Sequence, residues 1–191
     1  MAKQPEQILE EQLISQLQKL GYSYVVISSE KDLLLNLKGQ LEKHNNFRLS
    51  EKEFSQILNE LSKGSVFEKA KTLRGKLLVR LDNGQTKHIE LLNTEYWCQN
   101  QFQVTQQVTM EGKYKNRYDV TILINGLPLA QIELKRRGLE LKEAFNQINR
   151  YERHSFTAGY GLFQFVQLFV ISNGVNTKYF ANAPIKARSF K

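Results

Sequence analysis

The sequence predicts an α/β domain, a mixed β-sheet flanked by helices, and three observations carry that expectation. Apolar residues recur at helical spacing through the first third of the chain, short apolar runs bounded by tight-turn signals follow from about Arg74, and a later helical repeat separates two groups of those runs. No internal repeat, low-complexity stretch or Pro/Gly/Ser-rich linker interrupts the 191 residues, so the chain reads as one unit, long enough to bury a core without disulfides.

Between Glu6 and Leu20, the residues Ile8, Leu9, Leu13, Ile14, Leu17 and Leu20 fall on a helical stripe, and Gly21 follows as a stop. A short strand is expected over residues 22–27. Residues 30–61 read as helices on polar connectors, with one stripe of Leu33, Leu34, Leu37 and Leu41 and another of Phe54, Ile57, Leu58 and Leu61. Ser50 with Glu53 fits a capping box at the start of the second. Strands at 76–81 and 86–91 flank Asp82-Asn83-Gly84, a strong hairpin signal. Residues 102–110 alternate imperfectly, 118–124 form a cleaner strand closed by Asn125-Gly126, and 129–135 form the next. Beyond Gly138, the residues Leu141, Ala144, Phe145, Ile148 and Tyr151 predict a helix to about His154, and strands at 167–171 and 177–180 flank the Asn173-Gly174 turn.

Lys and Arg number 27 against 19 acidic residues, a formal charge of +8 that suits a polyanionic partner through phosphate neutralisation. The N-terminus has no apolar region with a cleavage site, and no run approaches the roughly 18 apolar residues of a membrane span. A cytoplasmic protein with no membrane contact is expected. Cys98, beside Trp97, has no partner for a disulfide and matches no metal or redox spacing, so it reads as a buried, inert thiol. His44, His88 and His154 do not cluster and read as structural or surface residues.

The chemistry concentrates in residues 116–151, NRYDVTILINGLPLAQIELKRRGLELKEAFNQINRY. On a strand Glu133 and Lys135 share a face, about 7 Å apart along the backbone. The turn at Asn125-Gly126 is short enough to make the Asp119 and Glu133 strands antiparallel neighbours, bringing both carboxylates together on one edge. Converging carboxylates repel, and a divalent cation resolves the repulsion while keeping coordination positions for water and a phosphate oxygen; Mg²⁺ is the natural occupant, with Mn²⁺ as a substitute. Such an ion polarises a phosphoryl group and lowers the pKa of a bound water, and the Lys135 ammonium can orient that water or offset developing charge. Glu-x-Lys alone is a weak signal, because it occurs at Glu111, Glu133 and Glu140. Only the second ends an apolar strand that follows an Asp-bearing strand across a tight turn; the first lies at a Gly-containing turn and the third opens a helix. Gln147 and Tyr151, four apart on one helix face, can aim polar groups at the site, with Arg150 and Arg153 close by.

With those residues in place, the chain resembles the PD-(D/E)xK nuclease superfamily, and more closely the N-terminal domain of the restriction (R) subunit of type I restriction-modification enzymes. The likeness is strongest through RYDVTILINGLPLAQIELKRRG and EAFNQINRY and resumes at LFVISNGVNTKYFAN. It implies a restriction-endonuclease-like sheet, metal ligands at Asp119 and Glu133, and a catalytic lysine at Lys135. It also implies the RecB-like Q-x-x-x-Y pair at Gln147 and Tyr151, and a glutamate near the metal on the first helix, matched by Glu10 or, one register on, Glu11. Tyr118 stands where the superfamily name has its proline.

The resemblance implies metal-dependent endonucleolytic cleavage of double-stranded DNA, with methyltransferase and specificity subunits as partners. The family's ATP-dependent translocase is not expected within these residues, which contain no G-x-x-x-x-G-K-[ST] loop; an isolated or truncated domain is expected, and ATP would serve only the absent part. Lys113, Lys115, Arg117, Arg136 and Arg137 are candidates for DNA backbone contacts. Two other readings stay open: a catalytically silent DNA-binding or assembly domain of the same fold, and a repair nuclease of the same superfamily.

Overall fold

The computed structural model describes residues 5–111, 115–154 and 160–182. A six-stranded mixed sheet forms its centre, in the order β1 (Ser23–Tyr24), β4 (Phe102–Glu111), β5 (Lys115–Ile124), β6 (Leu127–Leu134), β7 (Leu168–Ser172) and β8 (Thr177–Ala181). β4, β5 and β6 form an antiparallel meander, β6 and β7 run parallel, and β7 and β8 are antiparallel. A parallel neighbour needs a crossover, and α5 (Leu141–His154) supplies it between β6 and β7. A separate hairpin, β2 (Lys76–Arg80) with β3 (Thr86–Glu90), packs with α2 (Glu30–Asn45), α3 (Glu51–Ser62) and α4 (Val66–Arg74).

Two apolar clusters fix the layers. Leu9, Leu13, Ile14 and Leu17 of α1 (Pro5–Lys19) meet Val104, Val120, Ile132 and Leu134 of the sheet. Ile8 and Leu20 of the expected stripe are exposed instead, Leu20 because the helix has already ended. The larger cluster is continuous from Leu33, Leu37 and Leu41 of α2 and Ile57 and Leu61 of α3 to Tyr118, Leu123, Phe169 and the α5 residues Leu141, Ala144 and Ile148.

Local chemistry accounts for the helix starts. Ser50 and Glu53 form the expected capping box, and Ser29 with Asp32 and Ser65 with Glu68 form two more. The last begins α4, which no apolar period in the sequence marks. Lys69 of α4 is buried, its ammonium donating to the carbonyls of Leu61 and Lys63 and lying 4.8 Å from the Phe165 ring centroid; it thereby satisfies orphan carbonyls at the end of α3.

Three expectations need correction. The strand expected at 22–27 pairs with β4 only at Ser23 and Tyr24. Cys98 is exposed rather than buried, because Asn93 and Asn100 accept and donate backbone hydrogen bonds that hold a surface 3₁₀ turn, Trp97–Gln99. The carboxylate-bearing strands β5 and β6 are central, so Asp119 and Glu133 do not lie at an outer edge. His44 is structural, its Nε2 3.1 Å from Glu90 Oε2, and His88 is exposed; the His154 side chain lies outside the described residues. Among the described residues, no helix is long and apolar enough to cross a membrane.

The turn joining β5 to β6 is tightly specified. Asn125 has φ +49° and Gly126 +83°, the positive values a type I′ hairpin turn requires. The buried Asn125 side chain accepts the Gln101 N–H at 2.7 Å and donates to the Leu91 carbonyl at 2.9 Å. A Cβ on Gly126 would stand 2.7 Å from Leu37 Cα of α2. Gly126→Ala is therefore expected to cost at least about 1 to 2 kcal/mol from backbone conformation alone, and more from the clash. Urea denaturation checks it; an unchanged midpoint would contradict this account of the turn.

Candidate active site

The β5–β6 ladder runs from the Asn125-Gly126 turn to the pair Val120–Ile132, and Asp119 and Glu133 are the next residues on the two strands. Opposed residues of an antiparallel pair share a face, with Cβ atoms about 4.5 to 5.5 Å apart. Asp119 Oδ2 accepts the backbone N–H of Leu134 at 2.8 Å. Glu133 is fully buried; its Oε1 accepts from Gln131 Nε2 at 3.2 Å, and its Oε2 meets no donor among the described residues. Lys135 follows the end of β6, its backbone N–H bonded to the Ser172 carbonyl at 2.8 Å and its charge acting on both carboxyl groups.

Burial pushes the Glu133 carboxyl well above the ordinary range, and the Asp119 charge pushes it further against the pull of Lys135. Asp119 is also raised, chiefly by burial, with the Leu134 N–H and Lys135 holding it back. With both ionised, Glu133 Oε2 is an orphan; with Glu133 protonated, the pair shares that proton. The arrangement therefore favours the arrival of positive charge.

Helix α1 closes the site from one side. Glu10 is buried, its Oε2 accepts from Gln107 Nε2 at 2.6 Å, and its carboxyl is raised by burial and also by Asp119. Glu6, one turn earlier, adds negative charge toward both Asp119 and Glu10 and accepts the Arg136 N–H at 3.2 Å. Of the two register alternatives on this helix, Glu10 is the one placed beside Asp119, while Glu11 accepts from Gln7 on an exposed side.

Among the described residues, no three His, Cys, Asp or Glu side chains converge closely enough to cage a metal unaided. An Mg²⁺-sized ion asks for less, since it keeps several waters and binds through one or two carboxylates. The donors at hand are hard oxygens, and the orphaned Glu133 Oε2 is an acceptor that a cation would satisfy. These residues fit Mg²⁺ or Mn²⁺.

A family profile described as "Type I restriction enzyme R protein N terminus" matches residues 3–185. The chain belongs to that family. Over 187 residues it is 48% identical to the type I restriction enzyme SauMSSORF170P endonuclease subunit of Staphylococcus aureus (strain MSSA476), covering 95% of this chain and 20% of the relative. Over 185 residues it is 42% identical to the EcoprrI endonuclease subunit of Escherichia coli, covering 94% of this chain and 59% of the relative. A putative type I restriction enzyme subunit of Methanocaldococcus jannaschii, MjaVIIIP, is 29% identical over 128 residues, 63% of this chain and 12% of that protein. The chain thus spans about a fifth of the length of the staphylococcal relative.

Within this R-protein N-terminal domain, Gln147 lies half-buried on α5; Tyr151 falls on the same helix, with its side chain outside the described residues, as are those of Arg150 and Arg153. Arg117, Arg136 and Arg137 are exposed on the strand and loop that flank the carboxylates. Lys113 lies outside the described residues; Lys115 begins β5, and its side chain is not among those described.

The structure adds residues that sequence reading passed over. Thr121 Oγ donates to Gln131 Oε1 at 2.7 Å, which orients the amide so that Gln131 Nε2 donates to Glu133; all three are fully buried. Thr121 is two residues from Asp119 and Gln131 two from Glu133, so strand alternation was the available signal. Glu6, four residues before Glu10, was marked by helical spacing in the same way.

Proposed function

We propose that this chain is the endonuclease domain of a type I restriction enzyme and hydrolyses phosphodiester bonds of double-stranded DNA with the help of Mg²⁺ or Mn²⁺ held by Asp119 and Glu133. The observation that carries the reading is the convergence of those two carboxyls on adjacent strands, with an orphaned buried oxygen on Glu133 and the Lys135 charge acting on both. The names of the relatives point the same way.

The cation, when bound, supplies Lewis acidity and a water of lowered pKa. The chain supplies the rest. The Leu134 N–H and the Gln131 amide each bond one oxygen of Asp119 and Glu133 and so orient both carboxyls. Lys135 places a positive charge beside them, where it orients the attacking water or offsets charge on the phosphoryl oxygens. The exposed Arg117, Arg136 and Arg137, with Lys113 and Lys115, hold the phosphate backbone without reading bases. Gln147 and Tyr151 of α5 serve as accessory polar groups and Glu10 as the helix-borne carboxylate. Site recognition belongs to a specificity subunit, methylation to methyltransferase subunits, and ATP-driven translocation to residues beyond this domain; the setting is cytoplasmic.

The test is nicking of supercoiled plasmid in Mg²⁺, Mn²⁺ and EDTA by this chain and by a folded Asp119→Ala variant. Metal-dependent nicking, abolished by EDTA and by the substitution, is the expected result. If the isolated chain does not nick, the substitution is carried into the full subunit with its partners and ATP. Cleavage surviving Asp119→Ala there overturns the assignment.

A further inference from the structure

The imperfect alternation of β4 has a single physical origin, and it lies against the carboxylates. β4 pairs with β5 through Gln106–Val120 and Val108–Tyr118, and the position between them opposes Gln107 to Asp119. Gln107 has φ +57°, in the left-handed region that residues with a Cβ avoid. On the two sides of this step, Val104 belongs to the apolar cluster under α1 and Val108 to the larger cluster. The strand has therefore turned over by the time it passes Asp119.

A strand that needed only to turn over would be served by glycine, which takes positive φ without a steric penalty. Here the position carries a long amide instead. Its Nε2 donates to Glu10 Oε2 at 2.6 Å, while its Oε1 is buried and meets no donor among the described residues. An acceptor shielded from water without a donor is an unfavourable arrangement, as is the backbone conformation that puts it there. Both are concentrated on one residue, opposite Asp119 and bonded to the buried carboxylate of α1. Strain held at one point by surrounding structure is a feature of functional sites.

We infer that Gln107 is a positioning residue of the cation site: its amide N–H holds Glu10 on the Asp119 side, and its orphaned carbonyl oxygen accepts from a water that a bound divalent cation carries. The inference rests on the proposed metal-dependent reading. In chemical terms, a neutral oxygen and the tethered Glu10 carboxylate act through waters of the cation rather than on it directly, in keeping with no three acidic side chains converging among the described residues.

The experiment is Mn²⁺ titration by calorimetry, with thermal melting in parallel, of the unsubstituted chain, Gln107→Gly, Gln107→Asn and Asp119→Asn. Glycine relieves the backbone and removes the amide; asparagine tolerates positive φ but is one methylene short. Mn²⁺ affinity is expected to fall about ten- to a hundredfold in both Gln107 variants, as for the loss of a ligand-orienting group, with the Gln107→Gly melting temperature unchanged or raised. Asp119→Asn is expected to abolish binding. If Gln107→Gly binds Mn²⁺ as tightly as the unsubstituted chain while Asp119→Asn does not bind, the role of Gln107 is wrong and the metal reading stands. A lowered melting temperature with unchanged affinity makes Gln107 a packing residue and overturns the inference too. If the unsubstituted chain binds no Mn²⁺, the metal reading fails and takes this inference with it.

Discussion

Replacing Lys135 by alanine is expected to lower DNA cleavage by about a hundred- to a thousandfold, the usual scale for removing one group that stabilises transition-state charge, while Mn²⁺ binding stays the same or tightens. The two effects separate for an electrostatic reason. The Lys135 charge pulls down both Asp119 and Glu133, so it already partly neutralises the carboxyls that a cation would seek. Without it the potential at those carboxyls is more negative, which draws protons as well as the metal, so the binding comparison holds at a pH where both are ionised; the reacting phosphate meanwhile has lost its neighbouring positive charge. Single-turnover cleavage at saturating metal, set beside a metal titration, checks both halves. Cleavage within a few-fold of the unsubstituted protein would remove Lys135 from the chemistry.

Glu133→Gln should behave in the opposite way on binding, and should also stabilise the metal-free fold. When ionised, Glu133 is a fully buried charge, repelled by Asp119 and left with an oxygen that meets no donor among the described residues. A glutamine amide in that place carries no charge and offers an N–H toward Asp119. Relief of one unsatisfied buried polar atom is worth about 1 to 3 kcal/mol, which for a chain of this size raises Tm by roughly 2 to 4 °C per kcal/mol. The same change removes a proposed ligand, so metal-dependent cleavage should fall below detection. Calorimetric melting in EDTA and plasmid nicking in Mg²⁺ give the two readings, and a variant that melts lower than the original would contradict the view that this carboxylate is held at the expense of stability.

The parts of the fold legible in the sequence are those governed by short-range rules. Asn125-Gly126 closes β5 onto β6 because both positions need positive φ, but the facing of Asp119 and Glu133 was not legible from period alone: the turn by itself would oppose Asp119 to Ile132, and a one-residue register shift between Ile122 and Leu123 brings Glu133 opposite instead. The α2, α3 and α5 stripes were equally plain, since Leu33, Leu37 and Leu41 recur at helical intervals. The short helix α4 escaped notice although Ser65 and Glu68 announce it by the same capping box that marked Ser50 and Glu53. Nine residues hold too few apolar positions to show a period. Cys98 misled because an adjacent tryptophan suggests burial, whereas the polar side chains of Asn93 and Asn100 decide the loop from a distance of several residues. Least legible was the support around the carboxylates. Gln107, Gln131 and Thr121 acquire their roles only when β4, β5 and β6 lie side by side and α1 covers them, so local sequence gives little warning.

The paired restraints on Asp119 and Glu133 also bear on which size of cation the proposed site would accept. Asp119 Oδ2 already accepts the Leu134 N–H and Glu133 Oε1 the Gln131 amide, so one oxygen of each carboxyl has only part of its lone-pair capacity left for a cation. A large ion such as Ca²⁺ gathers six to eight oxygens and gains from carboxylates that chelate with both. A small octahedral ion that keeps its own waters loses nothing by one-point attachment. If the proposed site holds a cation, hydrogen bonds made entirely within the protein would tilt the choice toward the smaller ion.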